Sequence, residues 1–169
     1  MLPPILKTKR YVIGRYSQED ETRYLEMALD PEAIKFMGGL SGMNEEKERF
    51  QKIFKIYNSS DERWFWIWGV YKGGQLCAHV ELKETEHTAS NELEIVYMVH
   101  PEERRKGLMF EILKAIKENQ FEWGRTIIAT VSPENKQSLD LLQQWGVDRK
   151  QIFLSEDTGE QYYKMHLIQ

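Results

Sequence analysis

At 169 residues, with 41% hydrophobic, 30% charged and 12% aromatic side chains, the sequence has the length of one domain and too many aromatics for a chain disordered throughout. Lys plus Arg is 23 against 27 for Asp plus Glu, a net charge of −4, which argues against a nucleic-acid partner and leaves room only for a local basic patch. The single Cys77 can form neither an internal disulfide nor a cysteine-rich zinc site; with no export signal and no membrane-length apolar run, a cytoplasmic protein without a membrane partner is expected.

Residues 9–16, rich in Tyr, Val and Ile, read as a first strand. Ser17 followed by Gln18, Glu19 and Asp20 makes an acidic first turn, so a helix should begin there and run to about Ala28. Asp30-Pro31-Glu32 starts a short second helix, with Asp as N-cap and Pro at the first helical position, ending near Phe36. Asn44 can cap a third helix, in which Phe50, Ile53, Phe54 and Tyr57 fall on one apolar face. Residues 64–71 carry large apolar groups on both faces and read as a strand covered on both sides; Lys72-Gly73-Gly74 turns it into an antiparallel partner at 75–84.

After a polar loop, Glu92 to Val99 forms the next strand, closed by His100-Pro101. A charged loop leads to a helix with Met109, Ile112, Leu113 and Ile116 on one face, and Thr126 to Val131 is a further strand. Ser132-Pro133-Glu134 starts the last helix; Ser138, Leu141, Leu142 and Trp145 face inward and Gly146 ends it. Strands at about 151–155 and 161–168 finish the chain as a hairpin. This order predicts an α/β fold, one domain over residues 1–169, whose sheet is partly antiparallel with one βαβ crossover.

Several chemistries lack their residues. The four histidines have no zinc-ligand spacing and no metal site is expected; there is no Gly-x-Ser-x-Gly elbow; and the glycines at 38–42 lack the Gly-Lys-Ser/Thr of a P-loop. The alternating Trp64, Trp66 and Trp68 read as core, with a pocket wall as the alternative. The informative stretch begins at Glu92. A strand, a basic loop and a helix follow one another, and the first N–H groups of a helix have no internal acceptor, so they bind phosphates. Arg104, Arg105 and Lys106 add positive charge for a pyrophosphate, and Gly107 lets backbone approach closely. The same three cations also read as a solvated loop or as a patch for nucleic acid or an acidic partner.

The segment from Leu93 through Tyr97, Met98, Val99, His100 and Pro101 to Arg104-Arg105-Lys106-Gly107-Leu108-Met109 resembles the central motif of the GNAT N-acetyltransferases, a strand followed by Arg/Gln-x-x-Gly-x-Gly/Ala and a helix. The branch it most resembles is that of the RimJ/RimL-like ribosomal-protein acetyltransferases. Thr8-Lys9-Arg10-Tyr11 looks like that branch's opening Thr-x-Arg-Leu, and Asp30-Pro31-Glu32-Ala33 like its Asp-Pro-Glu-Val. Asn135-Lys136-Gln137-Ser138 looks like its Asn-x-x-Ser, and Gly146-Val147 like its Gly-Phe. Met109 stands where the motif has Gly or Ala, and Arg105 where Gly is common. The apolar face of the helix points the Met109 side chain into the core, which would leave its N–H for phosphate.

The resemblance implies a mostly antiparallel central sheet with helices on both faces and a cleft where the strands at 92–99 and 126–131 splay apart. It implies acetyl-CoA as co-substrate: its pantetheine arm against Met98 and Val99, its pyrophosphate on the N–H groups of Arg104, Arg105, Lys106, Gly107, Leu108 and Met109, and Asn135 and Ser138 beside the arm. The implied reaction moves an acetyl group directly to a primary amine in a ternary complex. Glu94 is then the candidate base, directly or through water, with Glu92 on the same face a weaker one. A backbone N–H near Val99 would face the oxyanion. Ser138 is the candidate donor to the leaving sulfur, because the position where many GNAT proteins carry Tyr is Leu142; Tyr163 and Tyr162 stand in reserve. Ser138 has an alternative role as a hydroxyl bonded to its own helix. The acceptor stays open among a protein N-terminus, a polyamine, an amino acid and another small amine. Oligomeric state is open too, with a homodimer compatible with the resemblance. A GNAT-like domain that binds acyl-CoA or a protein without turnover is the alternative function.

Overall fold

The computed structural model describes residues 2–36, 41–60, 64–119, 123–147, 150–155 and 159–168. Its first elements are β1 (Leu6–Lys7) and β2 (Val12–Gly14), antiparallel, with Leu6 opposite Ile13. The single strand expected over 9–16 is thus replaced by a tight turn between two short strands. The reason is Thr8, whose hydroxyl accepts from the Arg10 and Tyr11 N–H groups at 3.3 and 2.9 Å, an alternative to the strand ladder.

A one-turn 3-10 segment (Gln18–Asp20) leads into α1 (Glu21–Ala28). Asp30 caps α2 (Pro31–Ile34), accepting from the N–H groups of Glu32 and Ala33. The third helix, α3 (Met43–Tyr57), begins ahead of the expected Asn44 cap. Gly42 takes the cap position because the Glu45 carboxylate reaches back to the Gly42 N–H at 3.2 Å. Next come β3 (Phe65–Lys72) and β4 (Gln75–Lys83), joined through Gly73 and Gly74 at φ 58° and 82°. Then β5 (Glu92–Val99), α4 (Leu108–Asn119) and β6 (Thr126–Val131) make the one crossover. The last helix, α5 (Lys136–Gln144), starts later than the Ser132-Pro133-Glu134 signal suggests. Those residues form a turn closed by the Asn135 N–H on the Ser132 carbonyl, and Asn135 is the N-cap, its Oδ1 accepting from the Ser138 N–H. Finally β7 (Lys150–Leu154) and β8 (Gln161–Ile168) pair antiparallel.

The eight strands form one sheet in the order β1-β2-β3-β4-β5-β6-β8-β7, antiparallel throughout except for β5 beside β6. Helices cover both faces. On one, α4 and α5 pack over Trp66, Trp68, Leu93, Ile95 and Ile127; on the other, α1 and α3 pack over Ile67, Leu76 and Met98 through Tyr24, Met27, Phe50 and Ile53. Trp66 and Trp68 are core residues, edge-to-face with one another at 5.5 Å, with Trp123 edge-to-face against Trp66 at 4.9 Å. Leu108, Met109, Ile112, Leu113 and Ile116 of α4 are all buried. At roughly 1.5–3 kcal/mol per large apolar side chain, they anchor this helix with on the order of 10 kcal/mol before conformational entropy is counted.

Candidate active site

Where β5 and β6 run side by side, only three pairs form: Glu92 with Thr126, Leu93 with Ile127 and Glu94 with Ile128. Residues 95–99 and 129–131 continue without pairing to each other, although β5 stays bonded to β4 as far as Val99 and β6 to β8 as far as Val131. The result is a wedge between two strands each held from its far side. Backbone groups on the open edges can take an added extended chain in the manner of a strand.

Past the open end of β5 the chain turns toward α4. The first helical bond runs from the Glu111 N–H to the Gly107 carbonyl at 3.2 Å, so the N–H groups of Leu108, Met109 and Phe110 have no intrahelical acceptor. Leu108 and Met109 bury their side chains in the core, Met109 to 6% exposure, and present only backbone to the loop. Arg105 and Gly107 hold φ at +60° and +72°, and the side chains of Arg105 and Lys106 are exposed. The helix end, the missing Cβ of Gly107 and these two cations fit a pyrophosphate.

Arg104 is placed differently. Its guanidinium lies against Asp30 Oδ2 at 2.6 Å and Glu32 Oε2 at 2.9 Å, and its Nε donates to the Val99 carbonyl at 3.2 Å. It ties the α2 start to the end of β5, with its charge already matched. Burial works against the Asp30 carboxylate, yet Arg104 and the capped Ala33 N–H hold it below its ordinary value. Lys106 also has an acidic neighbour, Glu103, at 3.2 Å. The basic run is therefore largely charge-matched, which weakens its reading as a patch for nucleic acid. Arg10, quoted above only as part of a motif, braces the same loop: it donates to the Lys106 carbonyl at 2.9 Å and pairs with Glu111 at 2.6 Å.

Glu94 lies at the apex of the wedge, nearly buried. Thr85 Oγ1 donates to its Oε2 at 2.6 Å, and Thr130 of β6 donates to Oε1. Glu92, two residues earlier on the same face, is fully engaged: Lys164 Nζ at 2.5 Å, His166 Nε2 at 3.0 Å and the Ala89 N–H at 2.9 Å. Burial opposes its charge, but these partners bring its pKa down to about 2. That makes Glu92 an ion-pair residue and a poor proton acceptor. Lys83 faces Glu94 across the β4–β5 ladder and begins a chain that runs toward Met98. Its Nζ meets Glu81 Oε2 at 2.7 Å, Glu81 Oε1 meets His79 Nε2 at 3.0 Å, and His79 Nδ1 meets the Tyr16 hydroxyl at 2.8 Å. His79 sits opposite Met98.

On the α4/α5 face, Ser138 is half-buried in the first turn of α5 and accepts from the Tyr97 hydroxyl at 3.0 Å. Leu142, one turn further along α5, is 1% exposed. Tyr163 of β8 lies opposite Val131 and packs against the same core; Tyr162 is on the other face, its hydroxyl on Glu160 at 3.1 Å. Met98 packs beneath α1 and α3, and Val99 on the α4 side. The wedge thus has Glu94 on one face of the sheet and Ser138 on the other. Sequence reading passed over Tyr97, Thr85 and Thr130. Strand alternation would have paired Thr130 with the Glu94 face only once the register of β6 was known.

A splayed β5/β6 pair leading into a phosphate-fitting helix end defines an acetyltransferase of the GNAT type. The sequence agrees: residues 10–148 match the family model for the acetyltransferase (GNAT) domain, and the chain belongs to that family. No curated protein matches it. Among solved structures, a GNAT-family acetyltransferase from Bacillus anthracis superposes with TM-score 0.76 at 20% identity, covering 98% of each chain. Mycobacterium smegmatis RimJ, in complex with CoA-disulfide, gives 0.79 at 14% identity over 97% of this chain and 87% of that one. The Salmonella typhimurium acetyl transferase that modifies the N-terminal serine of ribosomal protein L7/L12 gives 0.73 at 8% identity, over 96% and 97%. These likenesses show the shared fold. Among the described residues no metal-binding cluster occurs and no helix is long and apolar enough to cross a membrane.

Proposed function

We propose that the protein transfers an acetyl group from acetyl-CoA directly to a primary amine, both substrates being held together in the cleft. The observation that carries this reading is the wedge between β5 and β6, open beyond Glu94 and leading to the free N–H groups of α4. Acetyl-CoA supplies the activated acyl group as a thioester. The backbone edge near Met98 and Val99 would hold its arm, and the N–H groups of residues 105–109 with the Arg105 and Lys106 cations its pyrophosphate. Arg104 serves this site through its backbone, its side chain being committed to Asp30 and Glu32. Asn135 contributes by capping α5 and so placing Ser138.

The amine must lose a proton to attack, and Glu94 is the acceptor. At about 3.3 Å per residue, Glu94 lies some 13 Å along the strand from Met98, so the proton travels through water. The threonine clamp from Thr85 and Thr130 fixes the carboxylate that ends this path. Holding amine and thioester together supplies much of the acceleration, up to about 7–11 kcal/mol in favourable cases. Ser138 donates to the departing sulfur. The first acceptor to test is a peptide with a free N-terminal serine, the chemistry of the Salmonella relative; polyamines and free amino acids follow.

Calorimetry with acetyl-CoA and a thiol-release assay over these acceptors test the reading. Binding with release in the presence of one acceptor class is expected, with Glu94→Gln lowering kcat at least about 100-fold, at the lower end of what a positioned acid–base group contributes. No binding at millimolar acetyl-CoA would overturn it; binding without release would mark a coenzyme-binding domain instead.

A further inference from the structure

The hydroxyl of Ser138 has a partner that the reaction outlined above does not use. Tyr97 sits on the part of β5 that has no β6 neighbour, and its phenol donates to Ser138 Oγ at 3.0 Å. Ser138 belongs to the first turn of α5, its own N–H turned back to Asn135 Oδ1. The bond therefore joins the β5 wall of the cleft to the helix that follows β6. Among the described residues the Ser138 hydroxyl bonds to no carbonyl of its own helix. A serine hydroxyl offers one proton and two lone pairs. With Tyr97 donating into one lone pair, the proton stays available to an acceptor in the cleft.

We propose that Tyr97 is a positioning residue: it fixes and polarises the Ser138 hydroxyl so that Ser138 donates to the coenzyme A sulfur as negative charge develops there. The inference rests on the acyltransferase reading above. As the amine nitrogen bonds to the carbonyl carbon, the C–S bond breaks and its electron pair goes to sulfur, while the amine proton leaves by way of Glu94. The sulfur departs as the thiolate, accepting a hydrogen bond from the Ser138 O–H, which keeps its proton; the Tyr97 O–H stabilises the charge drawn onto Ser138 Oγ, and water returns a proton to the thiolate. Hydrogen bonds in series strengthen one another.

The phenol keeps its proton throughout. Burial raises it above the ordinary range, with the Ser138 bond working only partly against this. An ordinary thiol ionises near about 8.5 and a phenol near about 10. Outright transfer from Tyr97 to sulfur is therefore uphill, and its part is to orient and polarise. Leu142, one helical turn beyond Ser138, is closed in the core and offers no competing donor.

Coenzyme A, the product, is the probe. Its thiol is titrated on the wild-type protein by the ultraviolet absorbance of the thiolate, then on Tyr97→Phe, Ser138→Ala and the double variant. The bound thiol is expected to be most acidic in wild type. Each single substitution should raise its pKa by about one unit, a tenfold change, and the double substitution no further. Desulfo-coenzyme A, which has no sulfur to receive the bond, should bind wild type and Tyr97→Phe equally within about twofold, a factor of roughly 0.4 kcal/mol. An unchanged thiol pKa in Tyr97→Phe would overturn the assignment, as would equal weakening of both ligands, the mark of a purely structural tyrosine. Should Tyr97→Phe fail to fold, Ser138→Ala removes the same bond from its other end, and an unchanged thiol pKa there overturns the proposal equally. A wild-type protein that binds neither ligand would overturn the acyltransferase reading itself, whereas binding with unmoved thiol pKa overturns the Tyr97 assignment alone.

Discussion

Replacing Arg105 by alanine and, separately, by glycine divides its charge from its backbone. At φ +60° it is the one non-glycine residue in the left-handed region among those described, and its side chain is exposed. An L-residue there costs about 1–2 kcal/mol. Glycine escapes that cost but loses roughly 0.5–1 kcal/mol more chain entropy on folding. Arg105→Gly should therefore exceed Arg105→Ala in stability by about 0.5–1 kcal/mol. In a chain of this length that corresponds to about 1–4 °C in Tm, read by calorimetric melting. Both variants remove the same cation from the proposed phosphate site. Both should bind acetyl-CoA several-fold more weakly at low salt, and the deficit should shrink as salt is added. A glycine variant no more stable than the alanine variant would refute the backbone reasoning. An alanine variant with unchanged affinity at low salt would refute the role given to the charge.

Met109→Ala should leave acetyl-CoA affinity within about threefold, because only the Met109 N–H faces the loop, yet cost about 2–5 kcal/mol in urea unfolding as its buried side chain is lost. Gly107→Trp should weaken acetyl-CoA binding about 100-fold or more in calorimetry, since a side chain at φ +72° strains the loop and intrudes on it. Acid stability should report Glu81. Burial opposes its charge, but His79 and Lys83 bring its pKa from 4.5 down to about 2. A depressed pKa contributes stability above the unfolded value and loses it as pH falls toward the folded one. The destabilisation of Glu81→Gln, measured by denaturant titration, should be full near neutral pH, decline below about 4.5 and vanish near about 2.

What could be read in the sequence was local. The runs Glu92–Val99 and Thr126–Val131 were legible because apolar strand residues end at turn formers, whereas the wedge between them was expected only from the family resemblance. Long-range partnerships left no such mark. Arg104 reads as a phosphate ligand until the fold brings it to Asp30 and Glu32, 74 and 72 residues away. Tyr97 and Ser138 are 41 residues apart, and nothing in either segment announces their hydrogen bond. The arginine at 105 gives no sign of its left-handed backbone; only the glycine common at that place in the motif it resembles hinted at it. At the first strand, the Tyr, Val and Ile content of residues 9–16 was outweighed by one threonine hydroxyl.

The place of β8 in the sheet sets the order in which the cleft can be made. Only three pairs join β6 to β5, whereas β8 borders β6 from Ile127 to Val131 and lies between it and β7. During synthesis the strands up to β5 can zip together as hairpins while later residues are still being added. The far wall of the cleft must wait for residues 161–168, which are made well after β6. Such a non-local closure is slow to search for, because the connecting chain loses entropy before the contacts repay it. The nascent protein therefore passes through a stage with one wall formed and the open edge of β5 bare, a stage in which that edge can pair wrongly with another chain.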